Sequence, residues 1–291
     1  MKKCLFTGVA TALATPFDES GVNTKEFKKF INFQIDSGID ALVVCGTTGE
    51  ASTMAQEEKI QAIDCAVQTS NKKVPVIVGT GSNDTATAII NSIIAQELGA
   101  DGLLIVTPYY NKTTQSGIIE HYKSIASSVS IPIILYNVPS RTGMNISPET
   151  CFELSKINNI IGIKEASGNI SQVAKIAMLC GDDFAIYSGN DDQIVPVLSL
   201  GGKGVISVLS NVAPKLTCSI TNSFFKKATD EACYYQLQAL PLIHSLLEET
   251  NPIPVKAGIN MLDFDFGIPR LPLVECSNKL KTTINKLLNS L

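Results

Sequence analysis

A chain of 291 residues, 45% hydrophobic and 17% charged, carries enough apolar material for a large core, as one large domain or two. Its formal net charge of -4 gives no basic field, so nucleic acid is not an expected partner. No stretch approaches a membrane span, and the opening Met1-Lys2-Lys3-Cys4-Leu5-Phe6-Thr7-Gly8 holds too short an apolar run for a signal peptide, so a cytoplasmic protein without a membrane partner is expected. Cys4, Cys45, Cys65, Cys151, Cys180, Cys218, Cys233 and Cys276 show no C-x-x-C spacing and read as reduced thiols, mostly core filler. The two histidines, His121 and His244, have no nearby partner of metal-ligand type. Neither a zinc site nor a Ser-His-Asp triad is expected, and proton transfer falls to tyrosine, lysine or carboxylate.

Strand-like and helix-like segments alternate along the chain. A strand at 8–13 precedes a helix that Thr24 caps and that runs through Ile35. A strand at 41–46 and a helix at 57–68 follow, then a strand at 74–79 and a helix at 84–98. The fourth pair is 102–107 and 118–127; the fifth is a strand at 131–136 and a helix opened by Ser147-Pro148-Glu149. The sixth strand, Ile160-Ile161-Gly162-Ile163-Lys164-Glu165, leads to a helix at 170–179. The seventh pair is 184–189 and 191–199, and the eighth 204–208 and 214–228. Eight such pairs predict an α/β fold, a (β/α)8 TIM barrel over residues 1–229. An open doubly wound sheet gives the same alternation, but the first strand-to-helix turn lacks G-x-G-x-x-G. Residues 230–291 read as helical throughout, a C-terminal helical bundle packed on the barrel.

Active sites of such barrels lie where the strands end. The second strand ends in Gly46-Thr47-Thr48-Gly49-Glu50, whose hydroxyls and backbone N–H groups suit a carboxylate, or form an ordinary glycine turn and helix cap. The fourth ends in Thr107-Pro108-Tyr109-Tyr110-Asn111, and the fifth in Tyr136-Asn137-Val138-Pro139-Ser140-Arg141-Thr142-Gly143. On the sixth, strict alternation puts Ile160, Gly162 and Lys164 on one face and Ile161, Ile163 and Glu165 on the other, with the glycine leaving space beneath the lysine stem. A lysine in a low dielectric becomes a nucleophilic amine suited to Schiff-base chemistry. The same residues also fit a lysine that snorkels to water or pairs with a carboxylate. Tyr136 and Lys164 end neighbouring strands, which makes them a candidate acid-base couple for forming an imine.

Together, G-T-T-G-E, P-Y-Y-N, Y-N-V-P-S-R-T-G and G-I-K-E-A-S-G resemble the dihydrodipicolinate synthase and N-acetylneuraminate lyase family, from Gly8 through Asn251-Pro252-Ile253-Pro254-Val255-Lys256. The resemblance implies a pyruvate-dependent class I enzyme that needs no metal or organic cofactor. It implies an imine on Lys164, a relay of Tyr136, Thr48 and Tyr110, and a pyruvate carboxylate held by Thr47 and Thr48. Gly189 and Ile206 match positions whose carbonyls line the site, and Arg141 matches the arginine that holds L-aspartate 4-semialdehyde. Tyr110 matches a tyrosine that crosses between subunits, implying a homodimer as the minimal active unit and a homotetramer as the larger assembly. The implied product is 4-hydroxy-tetrahydrodipicolinate, on the route to lysine and diaminopimelate. The alternative within the family is an aldolase acting on N-acetylneuraminate or a 2-keto-3-deoxy sugar acid; the second threonine of G-T-T-G-E and Arg141 favour the synthase.

Many members of that family are inhibited by lysine at a dimer-interface pocket. The resemblance puts it at Ala51, Ser52, Gln56, Lys59, Asn83, Thr87 and Tyr109. Sensitive members carry histidines where this chain has Gln56 and Lys59, and a glutamate where it has Thr87, so little inhibition by lysine is expected.

Overall fold

The computed structural model describes residues 4–291; Met1 to Lys3, the start of the segment read against a signal peptide, lie outside the described residues. The eight barrel strands are β1 (Gly8–Ala12), β2 (Ala41–Val44), β3 (Val76–Gly79), β4 (Gly102–Val106), β5 (Ile133–Asn137), β6 (Ile160–Glu165), β7 (Ala185–Ser188) and β8 (Gly204–Ser207). They are parallel, follow one another in chain order, and close through pairing of β1 with β8. This is the (β/α)8 barrel that the alternation predicts. A short antiparallel pair, Phe17–Asp18 with Gly21–Val22, interrupts the first connection.

Polar caps fix where the barrel helices begin. Asp84, Thr114, Ser147 and Asn169 each accept a backbone N–H from the first turn of the helix that follows. At Thr24–Asp36 the cap is Asn23, whose Oδ1 accepts the Glu26 N–H at 3.0 Å. Thr24, the expected cap, is instead the first helical residue, because an asparagine one position earlier already reaches that N–H.

The core has two shells. Inside the barrel, Ala10, Val43, Ile77, Leu104, Ile134, Tyr136, Tyr187 and Ile206 pack together, and Phe6 stacks on Tyr187 with ring centroids 4.3 Å apart. Between barrel and helices lies a larger cluster that includes Leu42, Leu103, Ile105, Leu135, Ile163 and Ile186. It extends into the tail through Ile253, Val255, Ile259, Phe266, Leu280 and Ile284. None of the eight cysteines is in a disulfide, and burial pushes the thiols of Cys45 and Cys218 up to about 12, which keeps them neutral and inert. No helix among the described residues is long and apolar enough to cross a membrane.

Two features of β6 differ from strict alternation. The register steps from Ile133 beside Ile160 to Ile134 beside Gly162, so Ile161 is an extra, bulged residue. Ile161 joins the barrel interior and Ile160 the outer shell, the reverse of their expected faces. Gly162 also leaves no empty space: a Cβ there would sit 2.4 Å from the Ala185 carbonyl oxygen. The glycine allows close approach of β6 and β7.

The tail is not helical throughout. Helices span Thr229–Leu247, Ile253–Asn260 and Asn278–Leu288, while residues 261–277 form an irregular strap. There, side chains elsewhere take backbone N–H groups that a helix would pair internally. Asp265 N–H donates to Glu26, Phe266 N–H to Asn260 and Arg270 N–H to Glu50. Pro269 and Pro272 have no N–H to donate.

Candidate active site

Tyr136 and Lys164 are register partners on β5 and β6. Both are buried, and the lysine Nζ lies 4.5 Å from the centroid of the tyrosine ring. The next rung faces outward and clamps the same strands. Asn137 Nδ2 donates to the Glu165 carboxylate at 2.9 and 3.2 Å. Ser167 N–H and Gln172 Nε2 donate to it as well, while Asn137 Oδ1 accepts from Ile146 N–H. A buried carboxylate with this many donors is well satisfied, and it fixes the spacing of the inward pair.

The turn after β2 is built from tight contacts. Cys45 and Glu50 both have φ of 56°. A Cβ on Gly49 would press on the Leu13 carbonyl and the Thr15 hydroxyl, each 3.2 Å away, and Thr15 Oγ1 donates to Gly49 O at 2.9 Å. Glu50 turns away from the barrel mouth into a buried ion pair with Lys256, Nζ to Oε1 2.8 Å, with both side chains 1% exposed. Burial pulls the Lys256 ammonium below the ordinary lysine range, and the Glu50 charge opposes this. The turn thereby presents Thr47 and Thr48 to the barrel axis. Thr48 Oγ1 accepts a hydrogen bond from Asn251 Nδ2 at 3.0 Å. Arg141 sits on a short helix after β5, Pro139–Thr142, and its guanidinium reaches the Asn251 carbonyl at 3.4 Å.

These groups enclose a cavity of about 240 Å³ lined by Thr47, Thr48, Tyr136, Ser140, Arg141, Lys164, Gly189, Asn190, Leu247 and Asn251, among others. Six of the expected site residues therefore meet in one space. Two do not. Ile206 belongs to the barrel interior, and Val208, two residues further on, lines the cavity in its place. Tyr110 is 89% exposed, has a φ of 69° and lines neither this cavity nor the larger one beside it.

That second cavity, of about 440 Å³, shares Thr47, Tyr136 and Arg141 with the first. Ala51, Ser52, Gln56, Lys59, Thr87 and Tyr109 line it, six of the seven residues of the expected lysine pocket. Asn83 is absent from the lining; its carbonyl accepts from Asn111 Nδ2.

Sequence reasoning gives no role to Asn251, Ser140 or Asp191. Asp191 follows β7; its Oδ2 accepts the Val208 and Leu209 N–H groups at 2.9 and 2.8 Å, which joins the ends of β7 and β8. Burial raises its carboxyl above the usual range, against hydrogen bonds from Ser207, Leu209 and Val208 and the charge of Lys164. Its signal in the sequence is an acid immediately after a strand end. Asn251 carries no such signal, since only the fold brings it to Thr48. Among the described residues no group of three or more His, Cys, Asp or Glu is placed to hold a metal ion.

The arrangement is a lysine amine and a phenol in contact in an enclosed pocket, with hydroxyls and a guanidinium around them. It suits covalent chemistry on a carbonyl acid. The Dihydrodipicolinate synthetase family matches residues 5–291. The chain is 55% identical over 280 residues to the 4-hydroxy-tetrahydrodipicolinate synthase 1 of Clostridium acetobutylicum, covering 96% of each chain. It is 52% identical over 286 residues to the enzyme of that activity from Clostridium novyi, covering 98% of this chain and 97% of the other. The dihydrodipicolinate synthase structure from Thermotoga maritima superposes with a TM-score of 0.97 at 39% identity, covering 99% of both chains. Matches of this extent, over a barrel with this rim, make the chain a member of the dihydrodipicolinate synthetase family.

Proposed function

We propose that this chain is a 4-hydroxy-tetrahydrodipicolinate synthase, condensing pyruvate with L-aspartate 4-semialdehyde through an imine on Lys164. The observation that carries the reading is the buried Tyr136–Lys164 rung at 4.5 Å, opening on a cavity that also holds Thr47, Thr48 and Arg141. The neutral Lys164 amine attacks C2 of pyruvate. Protons passing through Tyr136 convert the adduct to an imine, with the ketone oxygen leaving as water. The imine withdraws electrons, so C3 loses a proton and becomes an enamine. The enamine forms a C–C bond to the aldehyde, whose oxygen is protonated to a hydroxyl. The amine of the second substrate then attacks the imine carbon, closes the ring and expels Lys164. Thr47 and Thr48 hold the pyruvate carboxylate, and Gly189 presents its carbonyl to the site. Arg141 holds the semialdehyde carboxylate, as a guanidinium fork does well.

We further infer a homodimer as the minimal active unit, built into a homotetramer, in the cytoplasm. What supports the dimer is a tyrosine ring left in solvent, Tyr110, beside the half-exposed Tyr109. A partner's Tyr110 completes the relay with Tyr136 and Thr48. The test is a coupled assay: turnover with pyruvate plus L-aspartate 4-semialdehyde supports the reading, and cleavage of N-acetylneuraminate with none of that condensation overturns it.

A further inference from the structure

We infer that Asn251 is a positioning residue that fixes the direction in which Thr48 passes its proton. The inference rests on the proposed role of Thr48 in the relay. Asn251 comes from the connection between the helices Thr229–Leu247 and Ile253–Asn260, 203 residues away along the chain. Its Nδ2 donates to Thr48 Oγ1 at 3.0 Å, and both residues are buried at the cavity wall.

An amide nitrogen only donates, and a hydroxyl carries one proton and two acceptor positions. With Asn251 occupying an acceptor position, the Thr48 proton must point elsewhere. Among the described residues no protein group accepts it. Thr48 lines the cavity beside Tyr136 and Lys164, so its proton is delivered into the space where substrate sits. Asn251 Oδ1 is buried and has no hydrogen-bond partner among the described residues, so the pull on Thr48 comes from the donor side of the amide alone. If the amide oxygen faced Thr48 instead, the hydroxyl would donate to it and be lost to the relay. The contact from Arg141 goes to the Asn251 main-chain carbonyl, which no side-chain replacement removes.

The test is a cycle on the full chain with Asn251→Asp, Asn251→Ala, Thr48→Val and the doubles. An ionised carboxylate in place of the amide only accepts, and so reverses the hydrogen bond; alanine removes it. Each single Asn251 variant lowers kcat by about tenfold to a hundredfold, the scale of a misplaced catalytic group. The KM for aspartate semialdehyde stays put, because Arg141 keeps its anchor. In the Thr48→Val background either Asn251 change does nothing more, since the hydroxyl it orients is gone. Losses that multiply in the doubles, or wild-type kcat in the singles, overturn the inference while leaving the relay intact. A silent Thr48→Val removes the relay itself and the inference with it. Imine trapping with pyruvate and borohydride reports that Lys164 stays in a folded site. If Asn251→Asp fails this check, Asn251→Ala carries the cycle, and failure of both makes Asn251 a structural residue and overturns the inference.

Discussion

Lys164 and Tyr136 face each other because their strands are adjacent and in register, and this pairing follows directly from chain order in a parallel barrel. Their neighbours teach a different lesson. Strict alternation predicts that Gly162 leaves room for the lysine stem, yet its missing side chain accommodates the Ala185 carbonyl of the next strand. A glycine in a strand marks a close approach, but the sequence does not name what approaches. Arg141 reaches the cavity from a four-residue helix, and among the described residues its guanidinium is otherwise tied only to a main-chain carbonyl at 3.4 Å. It is therefore free to meet a substrate carboxylate. Arg141→Ala weakens use of aspartate semialdehyde about tenfold to a hundredfold, the equivalent of losing a charge-assisted hydrogen bond of about 1.5–3 kcal/mol. Imine formation with pyruvate changes far less. Steady-state KM for each substrate, beside borohydride trapping, separates the two; equal damage to both steps would assign Arg141 a structural role.

At the scale of elements, the alternation of apolar runs and amphipathic stretches locates all eight strands within a few residues, because each barrel strand is buried on both faces. The irregular strap at 261–277 is not legible. Its conformation depends on acceptors far away in the chain, Glu26 and Glu50, which no local pattern reveals. The strap and the helix before it hold the turn that carries Thr47 and Thr48. Lys256 Nζ bonds Glu50 and the Ile268 carbonyl and sits 4.6 Å from the Phe17 ring centroid, while Arg270 stacks on the same ring at 3.9 Å. Arg270 also grips Glu58 with two nitrogens at 2.7 and 2.6 Å. Lys256→Met strands the Glu50 carboxylate in the interior, which costs about 3–5 kcal/mol of stability. Adding Glu50→Gln to that variant restores part of the loss, since the uncompensated charge is gone. Thermal unfolding of the single and double variants checks this, and a single variant as stable as the parent would mean that water reaches Glu50.

For the whole molecule, the rim chemistry is readable as four motifs, and the barrel brings five of their expected site residues, together with Gly189, to one cavity. What one chain does not supply is the environment of Tyr110, which stands in solvent. The second cavity shares Thr47, Tyr136 and Arg141 with the one that holds Lys164. Among the described residues its lining holds the cations Lys59 and Arg141 and no carboxylate. An acid does stand nearby: Asp84, next to Asn83 in the chain. Its carboxylate accepts both the N–H and the hydroxyl of Thr87, at 2.7 and 2.5 Å, as a helix cap, and it is not among the lining residues. The ammonium groups of lysine would therefore meet like charge. L-lysine at millimolar concentration leaves initial rates unchanged; half-inhibition at or below that range would show that the pocket accepts it.

The proposed condensation stands on an imine at Lys164. The most direct measurement is borohydride reduction in the presence of pyruvate, followed by mass analysis of the digested protein. The expected result is a single pyruvate-derived mass increment on the peptide bearing Lys164, abolished in Lys164→Ala. An increment on another lysine, such as the buried Lys256, or none at all, would contradict it.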